Sequence, residues 1–290
     1  KGLLKLIPLP FTLIISIIEA IKALRVSKTK ILIVMGGYVS FPAALAAKIL
    51  NIKLIVHEQN SIPGLTNKIL SFISNQNFSA FQNNLRKSKV IGNPIRKEIE
   101  QVKEPKERFL NRKGPLRILV FGGSQGAKVF NQLLPFIFKK INNKNKLSIT
   151  HQSGENMFEL LKESYKDVSF KVEIRKYFFD MEKKYNWADI VIARSGALTV
   201  SELIQSGTAS ILIPYPSAVD DHQFFNAKIL EDVGAAKIVR EKELEKKLIV
   251  NLAKLNRKKC EDMALKAKQL HHYNACNEVL KVCNSLINEK

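Results

Sequence analysis

Short, continuously apolar runs rich in β-branched residues recur along this chain, separated by segments with helical periodicity, and that alternation constrains the fold most. The runs are Ile31–Met35, Leu54–Val56, Arg117–Phe121, Leu147–Thr150, Asp189–Ala193 and Ser210–Ile213. Helical patterns lie between and beyond them, including Ala43–Leu50, Ala127–Ile141, Ala197–Gln205 and Gln223–Glu231. A strand that is apolar on both faces must be covered on both faces, and intervening helices provide the cover. The pattern therefore predicts βαβ units and parallel sheets, whose ligands bind beyond the carboxyl ends of the strands.

At 290 residues the chain is long enough for two such domains. The stretch 93–115, NPIRKEIEQVKEPKERFLNRKGP, breaks the pattern with three prolines and dense charge, and it reads as a connection between two halves. Boundaries follow at 1–96, 97–115 as a linker, 116–272, and 273–290 as a closing helical segment. The first half offers only two or three clear strands, and beyond Arg240 the pattern is purely helical. The three cysteines, Cys260, Cys276 and Cys283, fit no zinc spacing or disulfide framework. Cys276 and Cys283 lie seven apart on one helix face and are expected in the core. A net charge of +21 suits a phosphate-bearing partner such as nucleic acid, anionic lipid or a diphosphate, and equally a solvated basic surface. Without interleaved aromatic and basic residues, nucleic acid is not expected.

The apolar opening from Leu3 to Ile18 is interrupted by Lys5, Pro8 and Pro10 and closed by Glu19, so it is read as neither a signal peptide nor a membrane span. Its Ile7, Phe11, Ile14 and Ile17 recur at helical spacing beside Lys1, Lys5, Lys22 and Arg25. That is the pattern of a helix lying in a membrane interface, or of a core-facing stripe.

Several strand ends carry chemistry. Gly122-Gly123-Ser124-Gln125-Gly126 follows one apolar run and opens a helix, where small residues let backbone N–H groups approach an oxygen anion. The spacing matches neither the dinucleotide fingerprint nor a P-loop, which argues against a nicotinamide dehydrogenase. Arg194-Ser195-Gly196-Ala197 repeats the arrangement, and Glu202, one helical turn on, suits the two hydroxyls of a ribose. Asp220-Asp221-His222-Gln223-Phe224-Phe225-Asn226 clusters the amides and carboxylates that read sugar hydroxyls. One of its two aspartates is expected as a helix N-cap rather than a metal ligand. Gly36-Gly37-Tyr38-Val39-Ser40 is a further candidate cradle in the first half, and His57-Glu58 begins a zinc-protease pattern that Ser61 breaks.

As a set, GGYVSFP (36–42), HEQNSIPGLTNK (57–68), GNPIR (92–96), GGSQGAKVFNQ (122–132), HQSGE (151–155), WADIVIARSGALTVSE (187–202) and DDHQFFNA (220–227) resemble glycosyltransferase family 28. Within it they are most similar to the branch that transfers N-acetylglucosamine from UDP-N-acetylglucosamine to the lipid-linked muramoyl-pentapeptide precursor of peptidoglycan. The resemblance covers essentially the whole chain. It implies an α/β GT-B fold, two Rossmann-like domains whose parallel sheets face a cleft. Residues 1–96 would be the remnant of an acceptor- and membrane-binding domain and 116–272 the UDP-sugar-binding domain, with 273–290 returning to the first domain.

Carried over by motif, Glu202 would hold the ribose, Ser124 the diphosphate, and Gln223 with Asn226 the sugar hydroxyls. The helix start Ala197, Leu198, Thr199, Val200 and Ser201 would lie against phosphate. Asn60 and Arg96 would line the cleft, and Phe178 would sit beside the uracil. Gly36, Gly37, Tyr38 and Ser40 would help hold the acceptor diphosphate, and Ile7, Phe11, Ile14 and Ile17 would form the membrane contact. An inverting transfer at the cytoplasmic face of the inner membrane, with neither metal nor cofactor, is implied.

Absent from this chain is the family's opening Gly-Gly-Thr-Gly-Gly-His loop, so the first domain is expected to be N-terminally truncated by roughly two βαβ units. The family histidine lies in that stretch, which leaves His57 and Glu58 as speculative substitutes for a base. The alternative reading is a catalytically impaired UDP-sugar-binding relative at the membrane. A related enzyme that loads sugar onto diacylglycerol would lack the GGYVSFP and HEQN blocks.

Overall fold

The computed structural model describes residues 9–123, 125–141, 146–271 and 274–288. It divides into two compact units, Lys1–Pro94 with Tyr273–Lys290, and Ile95–His272. The first unit begins with α1 (Leu9–Val26), β1 (Ile31–Val34), α2 (Ser40–Ile49) and β2 (Lys53–Glu58), followed by α3 (Leu65–Leu70), β3 (Gln76–Ser79) and β4 (Ser88–Val90). Its four strands are all parallel in the order β1-β2-β3-β4. Val34, Leu54, Val56 and Leu70 are buried together with Ala44 of α2. Ala46 and Ala47 on the same helix let Leu24 of α1 pack closely against it.

The second unit opens with a 3-10 turn (Lys97–Gln101) and α4 (Pro105–Phe109). It continues as β5 (Leu116–Phe121), α5 (Lys128–Ile141), β6 (Leu147–Gln152), α6 (Phe158–Ser164), β7 (Lys171–Arg175) and α7 (Met181–Trp187). The remainder is β8 (Ile190–Ala193), α8 (Ala197–Ser206), β9 (Ser210–Leu212), α9 (His222–Asp232), β10 (Ala236–Ile238), α10 (Leu244–Ala253) and α11 (Arg257–Gln269). Six parallel strands lie in the order β10-β9-β8-β5-β6-β7. Crossovers from β5 run outward through β6 to β7, and those from β8 run the other way through β9 to β10. The order therefore reverses between β5 and β8, which is where an open α/β sheet forms its ligand crevice. The last helix, α12 (Ala275–Asn288), belongs to the first unit. Its Ala275, Val279, Val282, Cys283 and Leu286 pack against Ile55, Phe78 and Ile91, the second face of the β1–β4 sheet.

The six apolar runs all form strands. Among the described residues the first half holds four strands rather than two or three, because β3 and β4 carry little apolar sequence. The 97–115 stretch, expected as a linker, folds onto the second unit. Arg108 is buried there and donates to the carbonyl oxygens of Tyr185 (2.8 Å), Ser206 (2.9 Å) and Gly207. Burial first, and neighbouring Arg112 second, bring its pKa down to about 10. Arg112 donates to Asp189 Oδ1 at 2.9 Å, and Arg257 donates to Asp189 Oδ2 at 3.1 Å.

Two expectations, the cysteines in the core and Ile17 in the membrane-contact stripe, differ from the structure. Cys276 is exposed and Cys283 only half-buried, because the packing face of α12 is centred on Val279 and Leu286; the buried cysteine is Cys260, whose thiol burial pushes up to about 12. Ile17 does not share a stripe with Phe11 and Ile14. It packs with Ala20, Ile21 and Leu24 against α2, whereas Phe11, Ile14, Ile15 and Ile18 are exposed. At about 100° per residue, 11, 14, 15 and 18 form one face and 17 falls on another. Ile7 lies outside the described residues. Among the described residues no helix is long and apolar enough to cross a membrane.

Candidate functional site: the strand-order reversal of the second unit

The loops beside the reversal are tied to one another. Phe121 of β5 pairs with Ala193 of β8, and Ala193 with Leu212 of β9, so the three strands end side by side. The guanidinium of Arg194, just beyond β8, donates to the carbonyl oxygens of Ile213 and Pro214, both at 3.2 Å, and to Glu241 Oε2 at 2.6 Å. It also lies over the rings of Phe130 and Tyr215, 4.9 and 5.4 Å from their centroids, which fixes it as a brace between these loops.

The turn after β5 is held from the β6 side. Gln152 donates its amide to the Gly123 carbonyl oxygen at 2.7 Å, and Asn131 of α5 donates to the Ser153 carbonyl oxygen at 2.8 Å. A Cβ on Gly122 would lie 2.3 Å from the Cβ of Ala127, so glycine is required for the chain to enter α5. The HQSGE block, to which sequence reasoning attached no role, is thus the backing of this turn. Its His151 is fully buried with Nδ1 3.0 Å from the Tyr165 hydroxyl, and burial lowers its pKa to about 3, so the ring is neutral. Ser124 itself lies outside the described residues.

Helix α8 starts at Ala197 behind Gly196, which offers no side chain to cap it. The N–H groups of the first turn therefore point out of the helix without a side-chain cap, beside the positive end of the helix dipole. Leu198 is exposed, Ala197, Thr199 and Ser201 are half-buried, and Val200 is fully buried, so Val200 offers only backbone. Glu202 is not the freely exposed glutamate of an ordinary helix. Its side chain is 14% exposed, with Tyr185 Oη donating to Oε2 at 2.9 Å and Arg96 Nη2 donating to Oε1 at 3.1 Å.

At the start of α9, Asp220 and Asp221 both adopt left-handed backbone conformations, with φ of 51° and 52°. Asp221 precedes the helix but caps nothing with its side chain. Both its oxygens instead accept from Arg240, at 2.8 and 2.6 Å, and these hydrogen bonds hold its carboxyl below the usual range. Arg240 also lies over the Phe224 ring at 4.0 Å. In this clamped turn Gln223 accepts the Tyr215 N–H on Oε1 at 2.9 Å, which turns its amide donors to other partners. Asn226 is fully buried and donates to the Ser195 carbonyl oxygen at 3.3 Å, joining α9 to the start of α8. Phe178 is also buried, with Lys184 Nζ 5.0 Å from its ring centroid, so a ligand there would meet its backbone. Its neighbours Tyr177 and Phe179 are exposed and meet edge to face at 4.9 Å.

In the first unit, Gly36 and Gly37 turn the chain with φ of +87° and +78°, and Ser40 Oγ donates to the Gly37 carbonyl oxygen at 2.9 Å, leaving Tyr38 exposed. His57 is buried and donates Nε2–H to the Gly92 carbonyl oxygen at 2.9 Å; burial outweighs that bond and nearby Glu58 and lowers its pKa. Glu58 is buried too. It accepts from the N–H groups of Asn60 (2.9 Å) and Gly64 (3.1 Å) and from the amides of Asn60 (3.3 Å) and Asn67 (2.7 Å). Both residues, considered above as substitutes for a base, are committed to building the loops that carry Asn60.

Comparison with known proteins agrees with this geometry. The sequence profile of the glycosyltransferase family 28 C-terminal domain matches residues 117–279, and that of the family 28 N-terminal domain matches residues 1–79. A UDP-N-acetylglucosamine–N-acetylmuramyl-(pentapeptide) pyrophosphoryl-undecaprenol N-acetylglucosamine transferase of Wigglesworthia glossinidia brevipalpis is 46% identical over 94% of this chain and 76% of its own length. The transferase of the same name from Buchnera aphidicola is 43% identical over 100% of this chain and 81% of its own. Among solved structures, Acinetobacter baumannii MurG superposes with a TM-score of 0.84 at 35% identity, over 95% of this chain and 79% of that one.

Proposed function

The chain belongs to glycosyltransferase family 28, and on that footing we propose that the reversal point of its second unit holds the nucleotide-sugar donor. The protein is a UDP-N-acetylglucosamine-dependent hexosyltransferase with two parallel-sheet domains of GT-B type. It moves N-acetylglucosamine onto the pyrophosphoryl-undecaprenol-linked N-acetylmuramyl-pentapeptide of peptidoglycan synthesis.

The observation that carries the donor assignment is the arrangement of three strand ends, β5, β8 and β9, side by side. They present a glycine turn, a helix start without a side-chain cap, and the clamped turn bearing Gln223. The diphosphate lies against the turn at Gly122–Gly126, with Ser124, and the first turn of α8. Glu202 takes the ribose, Arg96 is its neighbour on the carboxylate, and the backbone at Phe178 borders the uracil. The amide of Gln223 reads a sugar hydroxyl, and Asn226 serves by holding the α8 start in place. In the first unit, Asn60 is assigned to UDP-N-acetylglucosamine and the Gly36–Ser40 loop to the acceptor diphosphate.

The acceptor hydroxyl attacks the anomeric carbon as the bond to UDP breaks, with inversion. Negative charge accumulates on the departing diphosphate, where N–H groups already in place stabilise it without reorganisation. Each such donor is worth about 10²–10³ in rate. The exposed Phe11, Ile14, Ile15 and Ile18 face of α1, with exposed Lys22 and Arg25 on the same helix, supports peripheral attachment to an anionic bilayer, the cytoplasmic face of the inner membrane.

Calorimetric titration with UDP-N-acetylglucosamine and UDP-glucose tests the donor site. Binding that favours the N-acetylated sugar and weakens in Gln223→Ala is expected. A folded sample that releases no heat with either nucleotide sugar refutes the assignment.

A further inference from the structure

Among the described residues Glu202 has one protein partner on each carboxylate oxygen, and the two partners differ in kind. Tyr185 is fully buried, its ring lies edge-on to Phe121 at 6.3 Å, and its backbone carbonyl is held by buried Arg108. Burial first, and the charge of Glu202 second, keep its phenol protonated well above the ordinary range, so it remains a donor. Arg96 is the opposite: its side chain is 44% exposed at the end of a long flexible stem.

A carboxylate offers about four acceptor positions, two on each oxygen. Tyr185 and Arg96 use one apiece, which leaves an acceptor on both oxygens, the number that a vicinal diol's two O–H donors require. The terminal torsion of a free glutamate is broad, so an unheld carboxylate would lose orientational freedom each time it bound the diol.

We propose that Tyr185 is a positioning residue that sets the carboxylate of Glu202 to read both hydroxyls of a ribose, so that the site selects ribonucleotides over 2′-deoxyribonucleotides, while Arg96 is the exchangeable partner. The proposal rests on the reading that Glu202 holds the donor ribose. Tyr185 touches no substrate atom; it acts through Glu202. A site built to hydrogen-bond a hydroxyl discriminates strongly against the analogue that lacks it, because its own polar group is then left unpaired.

The test is calorimetric binding of UDP and 2′-deoxy-UDP to the whole chain and to Tyr185→Phe, with melting temperatures measured alongside. The wild-type protein is expected to favour UDP by about tenfold or more. Tyr185→Phe keeps the packed ring and removes only the donor. It is expected to weaken UDP by about tenfold while leaving 2′-deoxy-UDP within about threefold, so that the preference collapses. Glu202→Asp keeps the charge but withdraws it from the reach of Tyr185, and the same collapse is expected. An unchanged preference in either variant overturns the proposal, and so does equal weakening of both nucleotides, the signature of a purely structural role. Wild-type protein that binds UDP without preferring it over the deoxy form overturns the proposal but spares the donor site. Failure to bind either nucleotide brings down the donor reading itself.

Discussion

Gly126 and Gly154 interlock. A Cβ on Gly126 would lie 2.2 Å from the carbonyl oxygen of Ser153, and a Cβ on Gly154 would lie 2.2 Å from that of Gln125. The turns after β5 and β6 therefore meet backbone to backbone, and the turn after β5 takes its shape from the loop behind it. Both glycines also have positive φ, +74° and +77°.

Gly126→Ala combines a backbone clash with a left-handed conformation, and we expect it to destabilise the second unit by about 3 kcal/mol or more. Gly123→Ala is the control. Gly123 has φ of +92° but nothing within 4 Å of the added carbon, so strain alone should cost about 1 kcal/mol. Urea unfolding of the two variants compares them directly, and equal losses would mean that the interlock contributes nothing.

Arg240→Ala frees Asp221 in the left-handed turn that presents Gln223. Both side chains of the pair are a little over a third exposed, so stability should change by less than about 1 kcal/mol. Donor binding depends on the turn's shape, and KM for UDP-N-acetylglucosamine is expected to rise about tenfold with a smaller change in kcat. Steady-state kinetics at saturating acceptor separate the two effects.

Acid should weaken the second unit through His151. Its pKa falls from an ordinary 6.5 to about 3 on folding, so the unfolded chain takes up a proton that the folded one refuses. The sign follows: the contribution is fully favourable above pH 6.5 and is lost progressively as pH falls toward 3, at about 1.4 kcal/mol per pH unit. His151→Gln should flatten the stability profile between pH 6.5 and 5 relative to wild type. Denaturant midpoints at several pH values supply the slope.

Much of this architecture is legible in hydropathy, and what is not has identifiable causes. The strands β2, β5, β6, β8 and β9 announce themselves because both their faces are buried, and β1, an edge strand with Ile33 exposed, does so because its sequence is wholly apolar. β3 reads Gln-Asn-Phe-Ser and does not, since its inward polar residue is satisfied only by tertiary contacts. Asn77 donates to the carbonyl oxygens of Ser71 (3.0 Å) and Arg86 (2.8 Å). β7 and β10 are edge strands with charged outer residues. The chemistry-bearing motifs at the strand ends were readable, but their supports were not. Tyr185 and Arg240 stand 17 and 19 residues from the carboxylates they hold, and no local pattern links them. The stripe on α1 divides for a simpler reason: each i, i+3 step falls about 60° short of a full turn, so Ile17 comes round toward α2 while Phe11 and Ile14 stay exposed.

That helix provides a further test. Phe11→Ser with Ile14→Ser should reduce co-sedimentation with anionic vesicles severalfold while leaving the melting temperature nearly unchanged, because both side chains are exposed. Ile17→Ser should do the reverse, lowering stability by about 2 kcal/mol with vesicle binding largely retained. Loss of vesicle binding in both variants alike would point to unfolding of α1 rather than to an interfacial face.

The return of α12 to the first unit sets an order of events during synthesis. Residues 95–272 are contiguous, so the second unit has all its strands and helices in hand before Ala275 is translated. The first unit must wait: one face of its sheet, Ile55, Phe78 and Ile91, stays uncovered until Val279, Val282 and Leu286 emerge from the ribosome. The half made first is thus the half completed last, and a chain released after α11 but before α12 would have a complete second unit and a bare apolar sheet, a ready substrate for chaperones and proteases.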